Sequence, residues 1–414
     1  MSKHRARRRS LAGSYWGRLL LFSILYFVQG ALFAYVLVFN NLYLREFGAS
    51  AGQLGLLNGL LLVPFVLKIG LGIISDKVSL LGMGHRVPYI VLGLSLSIIG
   101  IIGAGLTPPV TRFGLFVTVA MFIALGISLF DTAIDGLAID VTPRDEHSMV
   151  QSAMIIGRAL GLVLLASAYG RLIVYAGWQA VFWVAAAITA IPLILILWVP
   201  EPDERPAEQL FDWSAVRLLW RPQIARLLAF GALYALVVYG AQAIVSLFAN
   251  EALGATLIQV GDATALGGLG MLLGGALLTV IGRRISIWRQ AIGVILLASI
   301  MLLGLALFTN LENVFGMTLL WGATLGMVEL VYVTLAMKHA DPRIGASTFA
   351  FYMAISNVGT GLGQSATTGL IDRVDYEVIF LALAAINLLA IPLLLKMRSK
   401  AGEHEQLMAE TITA

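Results

Sequence analysis

Two carboxylates, Asp131 and Asp135, stand four residues apart at the end of the apolar run from Phe113 to Phe130. On a helix that spacing puts both on one face, one above the other. Ionisable groups are expensive in hydrocarbon, and chains that keep them line a wet path or a binding cavity with them. Two bases fall at matching depth in neighbouring apolar runs, Lys68 eight residues before the inner end of its span and Arg158 ten after the start of its own. At about 1.5 Å per residue these groups lie roughly 12 to 15 Å deep on the inner side, where acids and bases should pair. Two readings stay open. In one, the charges form a structural ion-pair network that pins three helices; in the other, Lys68 or Arg158 is freed to hold an anionic ligand while Asp131 or Asp135 takes up a proton. The second half of the chain offers one deep acid, Glu329, nine residues before Lys338 and with no base at membrane depth in that half. It is a second proton-carrier candidate, or a hydrogen-bonded structural group. Asp262, near the outer end of its run, reads as a vestibule residue at most.

The elements that must hold these groups are membrane helices. With 59% hydrophobic and 12% charged residues and a mean hydropathy of +0.91, the chain is a polytopic membrane protein. The expected fold is all-α, about twelve transmembrane helices beginning with residues 19–40 and ending with 377–396, and including 53–75 and 345–369. Forty-three glycines suit close helix approach in a bilayer. The absence of cysteine excludes disulfides, thiolate metal sites and a cysteine nucleophile. The five histidines fall in expected loops or tails, so no metal site or cofactor is expected. If the first loop is outside, 21 of the 27 Lys and Arg residues lie inside, 4 outside and 2 within spans. That places both termini in the cytoplasm and needs no nucleic-acid partner to explain the basic balance. No small-residue cleavage site follows the basic start and first apolar run, so that run is expected to remain as a span.

The longest polar stretch, 200–222, divides the chain into an N-terminal bundle, 1–199, and a C-terminal bundle with a short tail, 223–414, each expected to hold six helices. Its mixture of Phe211, Trp213, Arg217, Trp220 and Arg221 suits either a helix on the inner membrane surface or a plain linker. The halves repeat: Gly48-Ala-Ser50-x-x-Gln53-x-Gly55 recurs as Gly254-Ala-Thr256-x-x-Gln259-x-Gly261, and Pro143-Arg144 as Pro342-Arg343. Pseudo-symmetric bundles of this kind hold a ligand near mid-membrane at their interface.

The link Gly72-Ile-Ile-Ser75-Asp76-Lys77, then Gly82, Gly84, His85 and Arg86, resembles the cytoplasmic-loop signature of the major facilitator superfamily. Physically, the acid and bases can form a latch that makes and breaks between states, and Asp76, Lys77, Arg86 and Arg144 are the gating candidates. Pro64, Lys68, Asp131, Asp135, Asp140, Pro143, Glu146 and Gly157-x-x-x-Gly161 together are similar to the muropeptide permeases. Gly72 to Asp76, Gly84-His-Arg86, Gln151-Ser152 and Gly157-Arg158-Ala-Leu-Gly161 are similar to the folate–biopterin transporters, and the paired acids also occur in acetyl-CoA transporters. The resemblance covers the second to fifth spans and implies a carrier of a bulky organic anion, without deciding which.

In that superfamily the first, fourth, seventh and tenth spans line the cavity. The first offers Tyr26, Gln29, Phe33 and Asn40, the seventh Tyr234 and Gln242, and the eleventh Asn357 beside Ser356, Thr360 and Gln364, suiting a ligand with a ring and hydrogen-bonding edges. The lack of a glycine-rich loop ending in Gly-Lys-Ser or Gly-Lys-Thr leaves the chain without a P-loop of its own for ATP, so a secondary mechanism is expected: symport of a small-molecule substrate with protons, by a monomer in the plasma (inner) membrane lipid bilayer. A multidrug exporter of the same fold and a non-transporting pigment-assembly factor, suggested by Arg86-Val-Pro88-Tyr-Ile90, are the alternatives. An enzyme is not expected, because no nucleophile with a base or metal cluster lies at membrane depth.

Overall fold

The computed structural model describes residues 11–80, 84–199, 222–339 and 345–398, except the side chains of 69, 76, 77, 144 and 345–347. The linker reading and the Pro342-Arg343 repeat therefore lie outside the described residues. Among them every regular element is a helix. Ten helices are long and apolar enough to cross a bilayer. They are α1 (Tyr15–Glu46), α5 (Val87–Leu106), α6 (Phe113–Val141), α7 (His147–Ala176), α8 (Trp178–Ile196), α9 (Pro222–Ala252), α10 (Leu257–Arg284), α11 (Ile287–Phe308), α12 (Val314–Lys338) and α14 (Tyr376–Arg398).

Two expected spans fall short of that criterion for separate reasons. Residues 53–75 are interrupted around Pro64 and form three pieces, α2 (Ala51–Leu61), α3 (Val63–Val66) and α4 (Lys68–Lys77). Proline has no N–H to give and crowds the preceding turn. The interruption is fastened from α6, where the Ser128 hydroxyl donates to the Pro64 carbonyl at 2.8 Å. The other, α13 (Gly345–Leu370), is a continuous helix of 26 residues whose Ser356, Asn357, Thr360 and Gln364 dilute its apolarity.

The internal repeat has a local physical meaning. Gly48 and Gly254 both take left-handed backbone, φ 84° and 73°, which a glycine adopts without Cβ crowding. Immediately after each comes the same cap: the Ser50 N–H donates to Gln53 Oε1 at 2.9 Å and the Gln53 N–H to Ser50 Oγ at 3.3 Å. Thr256 and Gln259 repeat these bonds at 2.8 and 3.3 Å. This is the capping box, which satisfies two amide donors that a helix start leaves open.

The chain divides into two compact units, Met1–Leu210 with Ser246–Gly268 and Phe211–Val245 with Leu269–Ala414. In the first, α1 packs on α7 and α5 on both α6 and α8. Helix α1 meets α7 almost backbone to backbone: Gly30 faces the Arg158 carbonyl, Gly157 the Ser23 carbonyl and Gly161 the Phe27 carbonyl, with no room for a Cβ at any of them. This close approach fixes where Tyr26 and Arg158 stand relative to each other. In the second unit α11 packs on α12 and α14. There Gly359 and Gly363 of α13 face the Ala232 and Leu236 carbonyls of α9 as closely.

Outward-facing leucines and isoleucines stud the helices, among them Ile99, Leu164, Leu273, Ile300 and Leu320. Trp16, Tyr175, Trp198 and Phe308, each at or just past the end of a span, are the most exposed aromatics among the described residues. Apolar flanks with aromatic ends are what a bilayer solvates, and the protein is an integral membrane protein.

Candidate functional site

The four deep charges of the first half meet at one cavity of about 430 Å³. Helix α6 carries Asp131 and Asp135 one turn apart on its inward face, and α4 begins at Lys68, immediately beyond the interruption at Pro64. The Lys68 ammonium lies 2.5 Å from Asp131 Oδ2 and 3.4 Å from Asp135 Oδ2. From α1 the Tyr26 hydroxyl donates to Asp135 Oδ1, while Gln29 stands beside Asp131. The two carboxylates differ in access to water: the Asp131 side chain is 12% exposed and that of Asp135 43%.

Arg158 completes the wall from α7 and behaves differently from Lys68. Its guanidinium lies over the Tyr26 ring, 6.0 Å from the centroid. Among the described residues no carboxylate comes within ion-pair distance of it. The expectation that both bases would pair thus holds for Lys68 alone, because Lys68 reaches both acids and α7 places Arg158 across Tyr26 from them. Such a cation above an aromatic face, in a cavity walled by apolar side chains such as Ala138 and Ile155, is chemically suited to a carboxylate or another small anion.

Two polar lining residues, His147 and Gln151, are not among the expected site residues. His147 is not in a loop but opens α7, with Nε2 2.9 Å from the Thr142 carbonyl, and it lines the cavity together with Gln151. Gln151 could have been found from its spacing of seven from Arg158, which puts both on one face of α7. Of the expected stripe on α1, Tyr26 lines the cavity and Gln29 stands beside Asp131. The helix passes through a π turn at Tyr35–Phe39, and the Asn40 N–H returns to the Tyr35 carbonyl, which adds a residue and shifts the phase of the rest of the helix.

Charges at one end of these helices are also joined. Arg86, where α5 begins, contacts Asp140 at 3.3 Å and Ser75 Oγ at 3.1 Å. Arg18 makes a two-pronged contact with Glu146 at 2.6 and 2.8 Å. Asp76 and Lys77 close α4 and Arg144 comes after α6, but their side chains are not among those described. At the opposite ends Arg45 meets Glu251 at 2.6 Å. Asp262, read as a vestibule residue at most, accepts from Ser167 at 2.5 Å and from Arg171 at 2.7 Å.

In the second unit Tyr234 of α9 stacks obliquely on Tyr332 of α12, ring centroids 4.7 Å apart. Glu329 is close enough to Tyr234 to act on it electrostatically. The Trp321 indole N–H donates to Gln242 Oε1 at 2.8 Å. Asn357 stands on α13 beside Ser356, which donates to the Met353 carbonyl. Tyr234 and Glu329 are thus neighbours, whereas Gln242 is engaged with Trp321.

Residues 22–364 match the family model of the Major Facilitator Superfamily. The chain belongs to the Major Facilitator Superfamily. A folate-biopterin transporter of Synechocystis is 31% identical over 217 residues, which is 49% of this chain and 42% of that protein. An anhydromuropeptide permease of Escherichia coli is 25% identical over 322 residues, 71% of this chain and 62% of that protein. The aligned part of this chain thus spans less than two thirds of either relative. Among solved structures, the nucleoside transporter NupG superposes with a TM-score of 0.76 at 14% identity, over 92% of this chain and 98% of that one. A bacterial homolog of the human lysosomal transporter Spinster, inward-facing and occupied, gives 0.72 at 17% identity, over 92% and 96%. At those identities the structures speak for the fold alone. The relatives and fold neighbours are transporters of the superfamily, not enzymes.

Proposed function

We propose that this superfamily member is a secondary carrier that moves a small organic anion together with protons, by alternating access between two six-helix bundles, 1–199 and 223–414, joined by a cytoplasmic linker at 200–222. The single observation that carries the reading is Arg158: a cation in a membrane cavity, with no carboxylate at ion-pair distance among the described residues, next to two acids that share Lys68. A purely structural network would have consumed it. The cargo class rests on the wall and on the relatives together: a ring-bearing anion of the pterin and folate kind, or a muropeptide. Tyr26 and Gln29 from the first bundle, with Tyr234, Gln242 and Asn357 from the second, are the proposed contacts to its uncharged parts, and Lys68 and Arg158 to its charge.

Twelve spans fit this reading better than ten. Omitting α2 to α4 as a crossing would invert every later loop up to α13 and throw the Lys and Arg residues of those loops outside. With twelve, both termini lie in the cytoplasm of a plasma (inner) membrane. Asp76, Lys77, Arg86 and Arg144 are proposed to latch the cytoplasmic side, with Glu329 as a further proton site beside Asp131 and Asp135. The working unit is taken to be a monomer.

The test is flux. Protein reconstituted in liposomes with an acid exterior should accumulate a radiolabelled pterin carboxylate or anhydromuropeptide, and the protonophore CCCP should abolish the accumulation. Export of lipophilic cations with no movement of either anion would assign the fold to drug export instead.

A further inference from the structure

The cavity's charges can be counted. Tyr26 faces it from α1, Lys68 from α4, Asp131 and Asp135 from α6, and His147 and Arg158 from α7, so two cations oppose two carboxylates. The imidazole of His147 is held at the rim by the Thr142 carbonyl. The two acids are not equivalent. Asp131 is nearly buried, lies against Lys68 at 2.5 Å and is flanked by Gln29, with Arg158 acting on it at longer range. Asp135 lies farther from Lys68, at 3.4 Å, has 43% of its side chain open to water and receives the Tyr26 hydroxyl, whose ring lies under Arg158. One side chain, Tyr26, thus bonds the more accessible acid and lies under the base that has no carboxylate at ion-pair distance among the described residues.

Resting on the carrier reading, we propose that the site takes a monoanion with one proton: the proton goes onto Asp135, the anion onto Arg158 above Tyr26, and Asp131 never gives up Lys68. With both acids ionised this wall is neutral, and an added anion would leave uncompensated negative charge in a low-dielectric cavity. Protonating Asp135 leaves one net positive charge, which a monoanion cancels. A dianion would leave the site negative, and a neutral ring compound would leave Arg158 and a proton in excess. Symport is therefore electroneutral, one proton to one monoanion, and the cargo is singly charged where it touches this site. Tyr26 is a positioning residue: an anion drawing Arg158 forward loosens the hydroxyl from Asp135 and so ties the two events together.

The experiment is proton counting by calorimetry on the purified protein in lipid nanodiscs, in two buffers of different ionisation enthalpy, with pterin-6-carboxylate as the monoanion, folate as the dianion and 6-hydroxymethylpterin as the neutral control. Expected is uptake of one proton per pterin-6-carboxylate in the wild type, none in Asp135→Asn, and one in Glu312→Gln, an exposed acid between two spans. Arg158→Gln should weaken pterin-6-carboxylate about tenfold or more, while leaving 6-hydroxymethylpterin nearly unchanged. Tyr26→Phe should still bind but take up less than one proton. Binding of the monoanion with no proton, or a proton retained in Asp135→Asn, overturns the assignment while the carrier reading, which rests on flux, stands. Equal binding of all three pterins also overturns it. No response of the wild type to any of them, together with no flux, overturns both.

Discussion

Arg45 and Glu251 are joined by an ion pair of 2.6 Å and lie 206 residues apart in the chain. That separation equals the offset between Gly48 and Gly254, Ser50 and Thr256, and Gln53 and Gln259, so the pair links the same position of the two repeats. One copy supplies the cation and the other the anion. A repeat that contacts itself must diverge at the point of contact, because two like charges there would repel. Single reversal, Arg45→Glu or Glu251→Arg, should lower the thermal midpoint of the detergent-solubilised protein, with a loss of about 1 kcal/mol, since both side chains retain contact with water. The double reversal should recover most of that loss, as read by tryptophan fluorescence on heating.

The backbone contact between α1 and α7 leaves no space beside Gly161 or Gly157. Gly161→Leu should separate the helices and cost about 3 kcal/mol or more, since here backbone must yield rather than a flexible side chain. Size-exclusion chromatography should show aggregation or loss of yield. Gly293→Leu on α11, where an added Cβ meets nothing, should elute like the wild type.

Lys68 holds two carboxylates at once. Lys68→Met should leave them facing each other and lose about 2 to 3 kcal/mol, the lower range for breaking a buried pair, because the ammonium is partly wetted. Adding Asp131→Asn to Lys68→Met should restore part of that stability. Thermal midpoints of the three proteins give the answer, and a double variant less stable than Lys68→Met would contradict the pairing.

The caps of the two copies form the same bonds, so their loss should cost alike. Ser50→Ala and Thr256→Ala should each destabilise by about 1 kcal/mol. Hydrogen exchange at the amides of Gln53 and Gln259 should speed up in the corresponding variant and not in the other.

Much of this site could be read from residues alone, and the reasons differ by feature. The spacing of Asp131 and Asp135 fixed their common face, because helical period needs no tertiary information. Their meeting with Lys68 could be read from depth, since a bilayer gives sequence position a spatial meaning that water does not. What depth could not provide was direction around the helix axis, and so the difference between Lys68, which reaches the acids, and Arg158, which stands across Tyr26. The π turn at Tyr35–Phe39 was hidden because its cost is settled by packing, and it shifts the phase of the helix from Asn40 on. The twelve-span expectation met ten clear crossings, since Pro64 interrupts one segment and hydroxyls and amides dilute another. The Arg45–Glu251 pair was present in the repeat offset all along, but only coordinates show that the two copies touch there.

The interruption at Pro64 also divides the anchorages of its segment. The outer piece, α2, is tethered by the Ser50 cap and by Asn58, whose amide donates to Asn41 at 3.0 Å. The inner piece, α4, is tethered by Ser75, bonded to Arg86, and by Lys68 itself. The helix is broken at Leu62 and again at Leu67, and Lys68 is the first residue past the second break. The break therefore lets Lys68 and Asp131 be held together from the α4 side while α2 keeps its own contacts, so the segment that carries the ammonium is anchored separately from the one above it.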